Sequence, residues 1–389
     1  MTMNPLQRIY RAALLAGGLA LAVGCGQKAE EEAAPAAGVE GMAVEVEAEE
    51  PVLNVYNWSD YIAEDTIANF EERTGITVNY DVFDSNEVVE AKLLAGNTGY
   101  DIVVPTASFL ERQIKAGVFQ KLDRDKLSNW SNLDEDIMAR VALHDPDNQY
   151  SAVYMWGTTG IGYNEGKVAE VFPDAPMDSW ATLFDPEVIS KLSECGVTLL
   201  DAPTEVVSAV LAYLGRDPNS ETDEDLAAAE EVLMSIRPHI RYIHSSQQIN
   251  DLANGEICVA MGWSGDMMIA ADRASEAEGG IEIAYSIPKE GTVIWFDMLA
   301  VPSDAPHPNN AHLFINYLLE PEVIAAVSNY VFYANPNAAS AEFVEAEILE
   351  DPGIYPPPEV KAKLYPDLAH SAEFTRKLTR TWTRFKTGQ

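Results

Sequence analysis

From residue 51 onward the chain alternates short apolar runs with amphipathic segments at helical spacing, and Gly or Pro marks most changes of period. Residues 53–56, 76–82 and 100–104 read as strands. Residues 63–73, 87–95 and 109–116 read as helices, the first two stopped by Gly75 and Gly96. The pattern resumes beyond the Gly-rich passage 157–164, with strands at 196–200, 240–244, 257–263, 281–287 and 293–301. Helices are expected at 203–214, 223–236, 245–254, 266–277, 311–319 and 322–330. Strands separated by helices specify an α/β fold, because parallel strands need crossover connections. Two such units predict two lobes facing each other across a cleft, with the glycines of 157–164 joining them.

What precedes residue 51 is of another kind. Arg8 and Arg11, an apolar stretch over 12–23 and small residues before Cys25 read as a signal peptide over 1–25. The stretch is shorter than the roughly 20 apolar residues of a spanning helix. Residues 21–25 (LAVGC) resemble a bacterial lipoprotein cleavage site, which makes Cys25 a candidate for lipidation. An ordinary secretory signal with an incidental cysteine is the alternative. Residues 26–50 hold eight glutamates, one lysine and no aromatic residue, a composition expected to form a disordered acidic tether. In an exported chain, Cys195 and Cys258 read as a disulfide, with two buried thiols as the alternative.

The whole chain carries a formal net charge of −37. Phosphate recognition depends on Lys and Arg, so no nucleic-acid partner is expected, and a cationic ligand is favoured. Catalytic signatures for phosphate, dinucleotide, zinc or serine-hydrolase chemistry are missing, and neither a cofactor nor a metal is expected. The distinctive residues gather where open α/β sheets bind ligands, at predicted strand ends and loops. They are Trp58, Ser59, Asp60 and Tyr61; Thr106 and Ser108; Glu205; Trp263 and Asp266; Trp295 and Asp297; and Tyr333. Carboxylates and hydroxyls accept from an ammonium, which has three donors and no acceptor, while aromatic faces enclose methylenes and attract cations. That inventory suits a short diamine.

Residues 56–61 (YNWSDY), 80–87 (YDVFDSNE), 108–113 (SFLERQ), 158–164 (TTGIGYN), 249–255 (INDLANG) and 332–335 (FYAN) recur in this order in one known group. From residue 52 to the end, the chain resembles the bacterial periplasmic polyamine-binding proteins, especially their putrescine-binding members. The resemblance implies an α/β two-lobe solute-binding fold with crossover segments between lobes. The expected division is lobe 1 at 51–158 and 276–330, and lobe 2 at 159–275 and 331–389. It further implies a monomer that takes a polyamine, putrescine or alternatively spermidine or agmatine, to an inner-membrane ABC permease without catalysis. A secreted hydrolase using paired carboxylates is the alternative of a different class. Carried onto this sequence, the contact residues fall on the twelve named above. Asp297 is expected to serve one ammonium and Asp266 the other, and Cys195 pairs with Cys258. Thr106 stands where the putrescine binders have serine, and Trp295 where they have phenylalanine; both enlarge the wall.

Overall fold

The computed structural model describes residues 49–277 and 279–388. The leader and most of the tether, Cys25 included, lie outside the described residues. The first unit runs β1 (Val52–Trp58), α1 (Thr66–Thr74), β2 (Thr77–Phe83), α2 (Asn86–Ala95), β3 (Ile102–Val103), α3 (Ala107–Lys115) and α4 (Glu135–Val141). Gly75 ends α1 at φ 73°, a left-handed conformation that suits glycine, and its N–H closes the helix on Glu71 O at 2.8 Å.

The glycine passage is a strand and not a loop. β4 (Ser151–Asn164) runs unbroken through it. Residues 151–158 of β4 pair antiparallel with β9 (Val293–Ala300), whereas residues 159–163 pair antiparallel with β7 (Val259–Trp263). One strand thus serves both units. Glycine is required in it because side chains from neighbouring elements lie against the strand: a Cβ on Gly162 would collide with Met267 Sδ.

Between these strands come α5 (Glu165–Val171), α6 (Ala181–Phe184), α7 (Pro186–Leu192), β5 (Val197–Leu199), α8 (Pro203–Tyr213), α9 (Asp223–Ile236), β6 (Ile240–Ile243) and α10 (Gln247–Ala253). After β7 follow α11 (Ser264–Glu276) and β8 (Ile283–Ser286), and after β9 come α12 (Pro308–Leu318) and α13 (Pro321–Val331). The chain closes with α14 (Ala346–Leu349), α15 (Pro358–Lys361), β10 (Tyr365–Pro366) and α16 (Ala372–Thr387). The sheet order is β2-β1-β3-β9-β4-β7-β5-β6, with β8 on β4 and β10 on β9.

Two large apolar cores flank the crossing of β4 and β9. The first gathers β1, β3, β9, the start of β4, α12 and α13; the second gathers β5, β7 and α6 to α9. Cys195 and Cys258 are joined by a disulfide, which ties the approach to β5 to the approach to β7 within the second unit.

The returns of the chain differ from the expected positions at 276 and 331. β8 pairs with residues 161–164 of β4, so the chain stays with the second unit beyond 276. Past 331, Tyr333, Ala334, Val344, Ile348 and Ile354 pack into the first core, held by Trp156 N–H donating to Ala334 O at 2.9 Å. The second core recovers the chain from Tyr365, which packs against it, and fully at Phe374, Leu378, Trp382 and Phe385 of α16. That amphipathic helix turns its basic face to acids of the second unit, with Lys377 on Asp223, Arg384 on Glu230 and Lys386 on Asp201.

Candidate functional site

Where β4 crosses from one unit to the other, side chains from both enclose a cavity with an open volume of about 510 Å³, solvent mouth included. Ten of the twelve sequence candidates line it: Trp58, Ser59, Tyr61, Thr106, Glu205, Trp263, Asp266, Trp295, Asp297 and Tyr333. The strand-end expectation holds for most of them. Trp58 and Trp263 close β1 and β7, Thr106 caps α3, and Glu205 and Asp266 occupy first turns of α8 and α11. A helix N-terminus favours a carboxylate there. Trp295 and Asp297 differ, lying inside β9 two residues apart and hence on one face.

Three carboxylates dominate the chemistry, Asp297 and Asp266 buried and Glu205 partly buried. Asp297 accepts from Tyr61 Oη at 2.9 Å and from Thr106 Oγ1 at 2.7 Å. Thr106 is in turn held by Asn86, whose Nδ2 donates to Thr106 Oγ1 at 2.9 Å and whose Oδ1 accepts from Thr106 N at 3.1 Å. Asp266 accepts from Tyr333 Oη at 2.7 Å, while its own N–H donates to that oxygen at 3.1 Å. The two tyrosine rings meet edge to face at 5.0 Å. Glu205 accepts from Thr159 Oγ1 and, at 3.0 Å, from Trp263 Nε1. Every one of these donors is neutral, and no Lys, Arg or His lines the cavity among the described residues.

Burial penalises the charged form and pushes all three acids up, against the hydrogen bonds that favour ionisation. Asp297 and Asp266 rise to about 7, and Glu205 to about 8. Neighbouring carboxylates add to the rise: Asp60 and Asp297 for Asp266, Asp367 and Asp297 for Glu205. Isolated buried negative charge is costly, so each acid is held near neutrality by a proton unless a cation pairs with it. The walls suit an apolar chain between charged ends. Trp58 meets Trp263 edge to face at 5.5 Å, and Trp295 meets Tyr333 at 5.5 Å.

Two candidates lie outside the cavity lining. Asp60, at φ 53° in the turn after β1, is half exposed and bonds Arg273 of α11 at 2.7 Å. Its charge is already matched. Ser108 donates to Asp367, in a side extension of the cleft. Sequence reasoning missed Phe83, Asp84, Asn86, Ser245, Ser246 and Ile249, all of which line the cavity. The strand-end rule applied to β2 and β6 finds Asp84, Asn86 and both serines; Ile249 on α10 carries no such signal.

Comparison with known proteins agrees with this geometry. Over 344 residues the chain is 56% identical to the putrescine-binding periplasmic protein PotF of Escherichia coli (strain K12), covering 88% of this chain and 93% of that protein. It is 47% identical over 337 residues to a putrescine/agmatine-binding protein of Pseudomonas aeruginosa, covering 86% and 92%. Among solved structures, the spermidine/putrescine ABC transporter substrate-binding protein PotD of Streptococcus pneumoniae superposes with a TM-score of 0.70 at 28% identity, over 87% of this chain and 99% of that one. Residues 65–356 match the family model for bacterial extracellular solute-binding proteins, and the chain belongs to that family.

Proposed function

We propose that this protein captures a linear polyamine, putrescine foremost, in the cavity between its two cores and passes it to an ABC-type inner-membrane permease. The observation that carries the reading is the set of three cavity carboxylates, buried Asp266 and Asp297 and partly buried Glu205, with only neutral donors around them. Each ammonium of a diamine brings three donors and a charge to acids that lack a counter-charge. The rings of Trp58, Trp263, Trp295 and Tyr333 cover the methylenes. Membership of a solute-binding family makes the protein a transport component and sets the hydrolase alternative aside. One chain supplies both walls, so a monomer suffices.

The protein works in the periplasm, and Cys25 with the acidic segment 26–50 would serve there as lipid anchor and tether. Incorporation of labelled fatty acid that is lost in Cys25→Ser tests the anchor. A second reading, spermidine as ligand, draws on the cleft's extension past Glu205, where Asp84 and Asp367 offer acids for a third ammonium. Competition calorimetry across putrescine, cadaverine, agmatine and spermidine tests both. Tightest binding of putrescine supports the first reading, tightest binding of spermidine replaces it with the second, and no binding of any amine refutes both.

A further inference from the structure

Thr159 is absent from the cavity lining, yet it touches two of the groups that define the cavity. It lies buried on β4 at the point where pairing passes from β9 to β7. A threonine hydroxyl has one proton to give and two acceptor positions. The proton goes to Glu205 Oε2, and the oxygen receives the indole N–H of Trp295 at 3.2 Å. Two residues earlier on the same strand face is Gly157, where a Cβ would stand 2.7 Å from the Trp295 ring. One strand therefore makes room for the ring, holds its nitrogen and orients the carboxylate beyond it.

We propose that Thr159 is a positioning residue for ligand capture, tying the Glu205 carboxylate to the Trp295 wall so that the acid and the apolar surface for one ligand end are fixed together. The inference deepens the polyamine reading and rests on it. Glu205 has two donors, Thr159 and Trp263, and hydrogen bonds to a carboxylate favour its charged form. Nothing else nearby compensates for the loss of one. Asp297 of β9, Asp367 beyond β10, Tyr285 of β8 and Tyr365 of β10 face Glu205, with Asp84, Glu87 and Asp201 along the extension. The cations of this region act on other acids, Lys386 on Asp201 and Arg112, His144 and His370 on Asp367. Removing the hydroxyl leaves Glu205 neutral to higher pH and free to turn away.

The test is calorimetric titration of the full chain with putrescine between pH 6.5 and 9, for the unaltered protein, Thr159→Val, Thr159→Ser and Glu205→Gln. Thr159→Ala serves as a second hydroxyl-free variant, and thermal melts check folding. The expected loss in Thr159→Val is about tenfold or more at pH 7.5, the scale of a hydrogen bond to a charged group. It shrinks toward pH 9 as Glu205 ionises. Thr159→Ser restores affinity to within about twofold, and in a Glu205→Gln background the valine costs less than about threefold. A loss constant across pH, an equal loss in the serine variant, or full additivity with Glu205→Gln overturns the proposal. Normal binding by a folded Thr159→Val overturns the proposal alone, whereas failure of the unaltered protein to bind putrescine overturns the polyamine reading and takes this inference with it.

Discussion

Two sets of carboxylates in this molecule face opposite conditions. On the outer side of the second unit, Asp225 is bonded by Arg216, Ser220 and Thr222, and Glu230 by Arg384. Those partners pull both acids down, Asp225 to about 2. In the cavity, Asp266, Asp297 and Glu205 have tyrosine, threonine and tryptophan donors but no cation, and burial lifts them to between about 7 and 8. A chain this acidic has carboxylates everywhere, and Asp145 too is buried on neutral donors alone; what distinguishes the site is that three carboxylates without a positive partner converge on one cavity. The overall charge of −37 thus indicates little about where a cation goes.

The strongest way to break this contrast is to remove one cavity charge. Asp297→Asn keeps the shape and leaves an incoming ammonium unpaired in a buried site, so putrescine affinity falls by about a hundredfold or more in calorimetry. Affinity within twofold of the unaltered protein would show that the cavity acid is no more important than a surface one.

The second contrast is in stability against pH. A folded-state pKa raised from 3.8 to about 7 means that folded Asp266 and Asp297 hold protons which the unfolded chain has already lost. Their contribution is greatest below about pH 4 and is lost as pH rises through about 7. Asp225 has the opposite sign: its stabilisation is present above the ordinary carboxylate value and is lost as pH falls toward about 2. Melting curves of ligand-free protein should therefore show Asp297→Asn raising Tm at pH 8 and Asp225→Asn lowering it. A loss of Tm in both would remove the distinction.

Smaller effects follow from acids that already have partners. Arg384→Ala should lower Tm only slightly and leave putrescine binding unchanged, as usual for an exposed pair. Asp60→Ala, which frees half-exposed Arg273 without emptying the cavity of charge, should weaken binding less than tenfold. A larger loss would bring Asp60 back into the ligand contacts.

Much of this was legible in the sequence because the periodicity that makes strands and helices also marks their ends, where Trp58, Thr106, Glu205 and Trp263 sit. Asp60 and Ser108, expected among the ligand contacts, are absent from the cavity lining for a common reason. Position at a strand end does not say which way a side chain turns: Asp60 bonds Arg273, and Ser108 bonds Asp367 in the cleft's side extension. The glycines at 157, 160 and 162 read as a connection between lobes, and not as strand, because glycine weakens an isolated strand. Their role depends on the side chains of Trp295, Tyr285 and Met267 lying against them, contacts with residues far along the chain. The late returns at β8 and after α13 were hidden similarly, since pairing partners on a shared strand cannot be read from either partner alone.

The central claim is that the cavity acids await a cation, and proton exchange on binding tests it most directly. Putrescine is titrated into the protein at pH 7 in buffers of different ionisation enthalpy. With Asp266 and Asp297 near 7 and Glu205 near 8 in the free protein, capture of the dication should release protons to the buffer, and the apparent heat should change with buffer in that sense. Binding with no proton release, or equal binding of the uncharged diol of the same length, would contradict the account.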